Sequence, residues 1–264
     1  MDLSVIINNY KSKEKTYKAI EHVLASDFFD LKYEIIVVDN ASGDGIGEEI
    51  QKKHPEVKFF QSEKNTGMGG GNNFGIKHSQ GEYLLILNPD VYVQKNTIKK
   101  MREHLLKNSE IGLIAPRLLN SDNTMQCSFF RFPKIYTPIL RRTFLGRIFK
   151  NKLDNFLMNG EKNDKIKEVD WVMGSCFMIR RKLCEEELCF DERFFMYFED
   201  TDLCRRIKSS GLKVIYCPEV SAIHDHARAS AEDAWFFAVF TNKLAREHIK
   251  SWIKYFWKYK GAGR

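Results

Sequence analysis

β-Type apolar runs at Leu3–Ile7, Tyr33–Val38, Val57–Phe60 and Leu84–Leu87 alternate with stretches in which apolar residues recur at helical spacing. The Leu84–Leu87 run has no polar interruption, as expected of a strand buried on both faces of a parallel sheet. Pro89 lacks a backbone donor and biases Asn88 away from helix, so that strand ends there. Asp90 is thereby presented just past the carboxyl end of a buried strand, the edge at which open α/β sheets bind ligands.

Between the strands, Ser12 is placed to cap a helix over Lys13–Ser26, whose stripe is Tyr17, Ile20, Val23 and Leu24. A second helix is expected over Gly47–Lys53. A third, capped by Asn96, is expected over Thr97–Lys107 before a strand at Ile111–Pro116. Strands alternating with helices predict a parallel sheet. Three of the strands end in Asn8-Asn9-Tyr10, Asp39-Asn40 and Asn88-Pro-Asp90, so these groups should share one edge. The glycine-rich run Asn65–Gly75 reads as an anion-binding turn leading into a short helix. No glycine triplet there has the dinucleotide-binding spacing, and the run follows the third strand rather than the first. Two acids, several amides and a glycine-rich loop at one edge make a nucleotide site with room for a divalent cation.

The second half is less regular. Residues 129–152 interleave arginine and lysine with large apolar side chains, and 151–167 is polar and reads as a loop. Val169–Ile179 reads as a strand with a bulge at Gly174-Ser175. Asp191–Asp200 leads into a helix ending near Gly211, where Asp200 has the position of an N-cap. Val214–Cys217 is a last strand before His224 and His226. Residues 231–259 are helical in pattern and rich in aromatic and basic residues. Both basic-aromatic segments either pack internally, the tail against the domain or a second subunit of a homodimer, or dock on a membrane surface.

Composition narrows the class. At 264 residues, 43% hydrophobic and 29% charged, the chain is long enough for a substantial core and ordinary for a soluble globular protein. No apolar run approaches the ~18 residues of a membrane span. The N-terminus does not read as a signal peptide, so a cytoplasmic protein is expected, with peripheral contact at the inner membrane face as the variant. Six cysteines without CxxC or zinc spacing are expected to be reduced, mostly buried thiols. The net charge of +7 suits an anionic partner: nucleotide, phosphate or acidic lipid. No nucleic-acid-binding module accompanies it.

The motifs Val5-Ile-Ile-Asn-Asn-Tyr10, Val37-Val-Asp-Asn-Ala-Ser42, Asn65-x-Gly67 through Asn73-x-Gly75, and Leu87-Asn-Pro-Asp90 occur in that order. In them the chain, over about residues 3–230, resembles a family 2 glycosyltransferase of the GT-A fold, on the branch with bacterial rhamnosyltransferases. The resemblance implies an α/β fold with a mostly parallel central sheet flanked by helices. It divides the chain into a GT-A domain (1–230, with a nucleotide-sugar half 1–116 and an acceptor half 117–230) and a helical tail, 231–264. It further implies an inverting, metal-dependent transfer of rhamnose or another hexose from a dTDP- or UDP-linked donor. The acceptor would be a saccharide or lipid-linked saccharide in surface polysaccharide synthesis.

By the same resemblance Asn9, Tyr10, Asp39, Asn40, Asn65, Gly67, Asn73, Asn88 and Asp90 bind the nucleotide-sugar, with Asp39 on the base or ribose. Asp90 ends the family's Asp-x-Asp motif, Asn88 replacing its first acid. It would hold Mn2+ or Mg2+ on the diphosphate, with His224, or alternatively His226, reaching the same ion. In Glu-Asp-x-Asp-Leu-x-x-Arg, Asp200 is the implied catalytic base, with Glu199 and Asp202 orienting the acceptor and the helix start. Trp171 and Gly174 form the floor between donor and acceptor, Trp171 either stacking on a sugar or serving as a core aromatic. Two positions depart from the family: Lys11 stands where Asn is common, and Asn72 where a diphosphate-facing Arg is common. A sugar-phosphate nucleotidyltransferase would instead open with a basic, Gly-rich phosphate loop, which Asn8-Asn-Tyr-Lys11 is not. A non-catalytic nucleotide-sugar or carbohydrate-binding protein would tolerate loss of Asp200.

Overall fold

The computed structural model describes residues 1–161, 163–185, 189–225 and 242–260. The first half runs β1 (Leu3–Asn9), α1 (Lys13–Leu24), β2 (Tyr33–Asp39), α2 (Ile46–Lys53), β3 (Lys58–Gln61), α3 (Gly67–Lys77), β4 (Tyr83–Leu87), β5 (Val91–Val93), α4 (Thr97–Lys107) and β6 (Ile111–Leu119). The second runs β7 (Phe129–Phe130), α5 (Thr137–Arg142), α6 (Leu145–Ile148), α7 (Lys150–Phe156), β8 (Lys167–Val169), β9 (Trp171–Val172), β10 (Cys176–Arg180) and α8 (Arg181–Leu183). It closes with α9 (Glu199–Ser209), β11 (Lys213–His224) and α10 (Lys243–Lys258).

Nine strands form one sheet in the order β3-β2-β1-β4-β10-β6-β11-β5, with β8 added on β11; β7 and β9 form a separate pair. β1 pairs in parallel with β2 and β4, β2 with β3, and β11 with β6, whereas β10 is antiparallel to both its neighbours. β1, β2, β3, β4, β6 and β11 therefore share one direction, and their carboxyl ends lie along one edge. β10 enters the sheet from that edge because it runs the other way. The apolar runs of β1, β2 and β4 are almost wholly buried, as both faces are covered. Asn9 pairs in register with Asp39, and Ile7 with Leu87, so Asn9, Asp39 and Asn88 end adjacent strands.

Several expectations are corrected. The glycine-rich run is itself helical, as α3, rather than an open phosphate loop. Two of its glycines make room for β1: a Cβ on Gly75 would stand 2.6 Å from Ile6, and one on Gly71 would collide with the Asn8 side chain. The strand expected over Val169–Ile179 is broken into three, with β9 leaving the main sheet to pair with β7. β11 continues past Cys217 to His224, absorbing Pro218 in an irregularity between Cys217 and Ser221 where a missing donor is tolerated. Segment 151–167 is partly helical, in α7. The cysteines are not all reduced: Cys184 and Cys189, five residues apart, form a disulfide, a spacing that neither CxxC nor zinc rules detect. Cys176, Cys204 and Cys217 are buried free thiols, and Cys127 is exposed. No helix among the described residues is long and apolar enough to cross a membrane. Of the tail, Lys243–Lys258 is helical; His226 and residues 231–241 lie outside the described residues.

Candidate active site

The carboxyl edge gathers the donor-side residues, and hydrogen bonds fix each one. Asn9 is fully buried. Its Nδ2 donates to Asp39 Oδ1 (2.9 Å), Ser42 Oγ (2.9 Å) and Asp44 Oδ2 (3.2 Å), and its Oδ1 accepts from Thr16 Oγ1 (2.9 Å). With both amide atoms engaged, Asn9 supports Asp39 rather than presenting itself to a ligand. Asp39 Oδ2 also accepts from Gln61 Nε2 at 2.7 Å. Asn40 Nδ2 donates to the Gly67 carbonyl (2.8 Å) and its Oδ1 accepts from Thr66 N (2.9 Å), so it ties β2 to the start of α3. Asn65 caps the same turn through Gly67 N at 2.8 Å. Asn73, further along α3, donates to Phe190 O (2.8 Å) and Glu192 Oε1 (3.0 Å) and anchors the segment before the catalytic helix. Asn72 donates to Met68 O within α3. Tyr10 is 43% exposed beside Lys11 and is the open aromatic of this edge.

Asn88 and Asp90 end β4 at the centre of the edge. Asp90 is paired with His224, whose Nε2 lies 3.6 Å from Oδ1; the two are brought together because His224 closes β11 opposite Val91. His224 Nδ1 meets Gln126 Oε1 at 2.7 Å, and Gln126 Nε2 donates to Asn120 Oδ1. An amide oxygen on Nδ1 requires an N–H there, which fixes the ring so that Nε2 faces Asp90. Burial works against charge on Asp90, but His224 and then Lys15 outweigh it and hold the carboxyl below its usual range. A carboxylate and an imidazole nitrogen whose ring is oriented by the Gln126 amide are ligand types that a divalent cation takes. Gln126 sits in irregular chain and had no signal in the sequence.

The acceptor-side acids stand next to this pair through the backbone. Asn88 N donates to Ser175 O at 2.8 Å, and the neighbouring Gly174 N donates to Asp200 Oδ2 at 2.8 Å. A side chain on Gly174 would press within 2.8 Å of Asp200 Cβ, so the bare backbone is what allows this contact. Asp200 Oδ1 accepts from its own following amide, Thr201 N, at 2.6 Å. It is not the N-cap: that position is Phe198, in left-handed conformation at φ 65°, and Tyr197 before it has φ 68°. Glu199 is buried, with Oε2 lacking any hydrogen bond. Burial, then the charge of Asp200, pushes the Glu199 carboxyl well up; burial likewise raises Asp200, although the Gly174 and Thr201 donors oppose it. Two adjacent carboxyls in one dry turn thus resist carrying two charges at once. Trp171 stacks on Phe130 (centroids 4.5 Å apart) and lines the same space.

Asp202 does not face the site. It is fully buried and accepts from Arg206 Nε (2.8 Å), Lys258 Nζ (2.5 Å) and Tyr259 OH (2.7 Å). It therefore fixes α9 to the C-terminal helix. Hollows of about 330 Å³ lie elsewhere, one at the opposite sheet edge by Asp2, Phe28 and Arg102, another beside α4 by His104 and Lys213. One further group of metal-type side chains among the described residues, His104, Cys217 and Glu219, includes a thiol pushed up to about 11 by burial.

Residues 4–188 match Glycosyl transferase family 2. The chain belongs to that family. This glycosyltransferase is 31% identical over 231 residues to the low-salt glycan biosynthesis hexosyltransferase Agl10 of Haloferax volcanii, covering 85% of the chain and 67% of the relative. It is 24% identical over 231 residues to an N-acetylglucosaminyl-diphospho-decaprenol L-rhamnosyltransferase of Mycobacterium tuberculosis, covering 83% and 73%. Its fold matches the mannosyltransferase PcManGT of Pyrobaculum calidifontis, solved with GDP-Man and Mn2+, at a TM-score of 0.61 and 17% identity, over 96% of this chain and 64% of that one. The GT-A resemblance read from the four motifs therefore holds.

Proposed function

We propose that this enzyme transfers a hexosyl group, rhamnose among the candidates, with inversion, from a nucleoside diphosphate donor to a lipid-linked saccharide in surface glycan synthesis. Residues 1–116 would bind the donor and 117–230 the acceptor. The observation that carries this reading is the Asp200 carboxylate, held by Gly174 N–H one ladder bond from Asn88-Pro-Asp90. Support for a diphospholipid acceptor comes from the name of the mycobacterial relative, and for Mn2+ from the Pyrobaculum structure.

In this reading Asp39, braced by Asn9 and Gln61, receives the base or ribose, and Tyr10 and Asn88 flank the donor. Asp90 and His224 would hold Mn2+ or Mg2+, which when bound neutralises the departing diphosphate. Asp200 accepts the acceptor hydroxyl proton as that oxygen attacks the anomeric carbon, while the carbon–oxygen bond to the diphosphate breaks on the opposite face. Its raised proton affinity suits a general base, and the buried, protonated Glu199 keeps the pair from carrying two charges. Trp171 offers the acceptor sugar an aromatic face.

The test is incubation with UDP-, dTDP- and GDP-hexoses and an N-acetylglucosaminyl diphospholipid in Mn2+. One donor should release its nucleoside diphosphate and give a product of inverted configuration by NMR. Asp200→Asn should lose at least ~100-fold in turnover with nucleotide affinity retained. A retained anomeric configuration, or an active Asp200→Asn variant, contradicts the mechanism.

A further inference from the structure

Two exposed strips near the acceptor side take no part in the chemistry above. The first is α5–α7. From Asn123 to Leu153 the sequence has no acidic residue and seven lysines and arginines. Phe144 and Ile148, four apart, are 70% and 64% exposed, and Phe149 is exposed beside them. The second is the outer face of α10. Lys243–Lys260 has six cations against one acid, Glu247; Lys258 turns inward to Asp202, and on the outer face Ile253 and Trp257, again four apart, are 60% and 79% exposed. The inner face of the same helix buries Ser251 and Tyr255.

The strips adjoin. Arg142 of α5 lies beside Tyr197 and His248, and His248 is on α10 against Tyr197. They also back onto the catalytic floor: Arg141 covers the rings of Phe130 and Phe156, and Phe130 stacks on Trp171. Isolated large apolar side chains at one-turn spacing, set among cations with long aliphatic stems, suit insertion at a headgroup layer. A second copy of this chain would set like charges against each other, and a nucleic acid would leave the aliphatic side chains unused.

We propose that α5–α7 and the outer face of α10 form a docking surface for an anionic phospholipid bilayer. Phe144, Ile148, Ile253 and Trp257 enter the interface, and Arg147, Lys150 and Lys254 meet lipid phosphates. This surface does not depend on the identity of donor or acceptor, so its test is independent of activity.

The test is co-sedimentation of the full chain with sucrose-loaded vesicles, either phosphatidylcholine alone or phosphatidylcholine with phosphatidylglycerol. The wild type should bind the anionic vesicles at least ~10-fold better than the neutral ones and lose that preference in high salt. Phe144→Ser with Ile148→Ser, and Ile253→Ser with Trp257→Ser, should each weaken binding about tenfold or more, with Tm unchanged because the four side chains are exposed. No binding to anionic vesicles at low salt overturns the proposal, as does undiminished binding by both double variants. A dimer seen by light scattering that the Trp257 variant dissolves would give the face to a second copy and overturn it as well.

Discussion

Glu199 and Asp200 are neighbours in one helical turn, yet Asp200 has Gly174 and Thr201 N–H donors on its two oxygens, whereas Glu199 Oε2 has none. Both carboxyls hold their protons more tightly in the folded chain than in the unfolded one, Glu199 the more so. The folded state therefore binds more protons over that range, and stability falls as pH rises through the raised values. Glu199→Gln should remove part of this decline. Its Tm is expected to exceed the wild type's at alkaline pH, with the difference shrinking on acidification; a difference that grows on acidification would contradict the assignment. Gln126 is a second residue-scale case. It orients His224 without facing the ligand, so Gln126→Ala should weaken Mn2+ affinity by about 10–100-fold in calorimetric titration while leaving Asp90 in place. The sequence marked Asp39, Asp90 and Asp200 because acids at strand and helix ends are visible in one dimension. Gln126 and Gln61 were not visible, since their partners are distant in the chain.

Among the elements, α10 has the least obvious task. Tyr197 and Phe198 both adopt left-handed backbone, which costs non-glycine residues of the order of 1–2 kcal/mol each. The helix holds this turn from several sides. Ser251 Oγ donates to Met196 O at 2.8 Å, His248 and Tyr255 pack on the two strained rings, and Lys258 and Tyr259 bind Asp202. Lys258→Met leaves the buried Asp202 with one donor fewer. It should cost about 1–3 kcal/mol, or roughly 3–10 °C in Tm, and lower kcat with nucleotide affinity unchanged. Equal losses in nucleotide binding and turnover would make α10 a general support rather than a positioning element. Sequence periodicity located the helices of the first half within a residue or two. It mistook α3 for a loop because its glycines, two of which (Gly71 and Gly75) give β1 room, are the same residues that open turns use. It also merged β8, β9 and β10, since a change of sheet leaves no mark on apolar spacing.

At the scale of the whole molecule, six strands of common direction and the reversed β10 bring Asn9, Asp39, Asn88 and Asp90 and, through Gly174, Asp200 to one edge. The order of strands, with β4 beside β1 and β10 beside β4, is what sets Asp90 next to Gly174 and hence to Asp200. Alternating strands and helices announced a parallel sheet, but the insertion of an antiparallel strand at its centre depends on long-range pairing that no local pattern encodes. The central claim is a metal-dependent donor site built on Asp90. Calorimetric titration of UDP, dTDP and GDP into the wild type and Asp90→Ala, with and without Mn2+, addresses it most directly. The expected result is tight binding of one nucleotide that requires Mn2+ and is lost in Asp90→Ala. Binding of that nucleotide indifferent to both the metal and Asp90 would contradict the site described here.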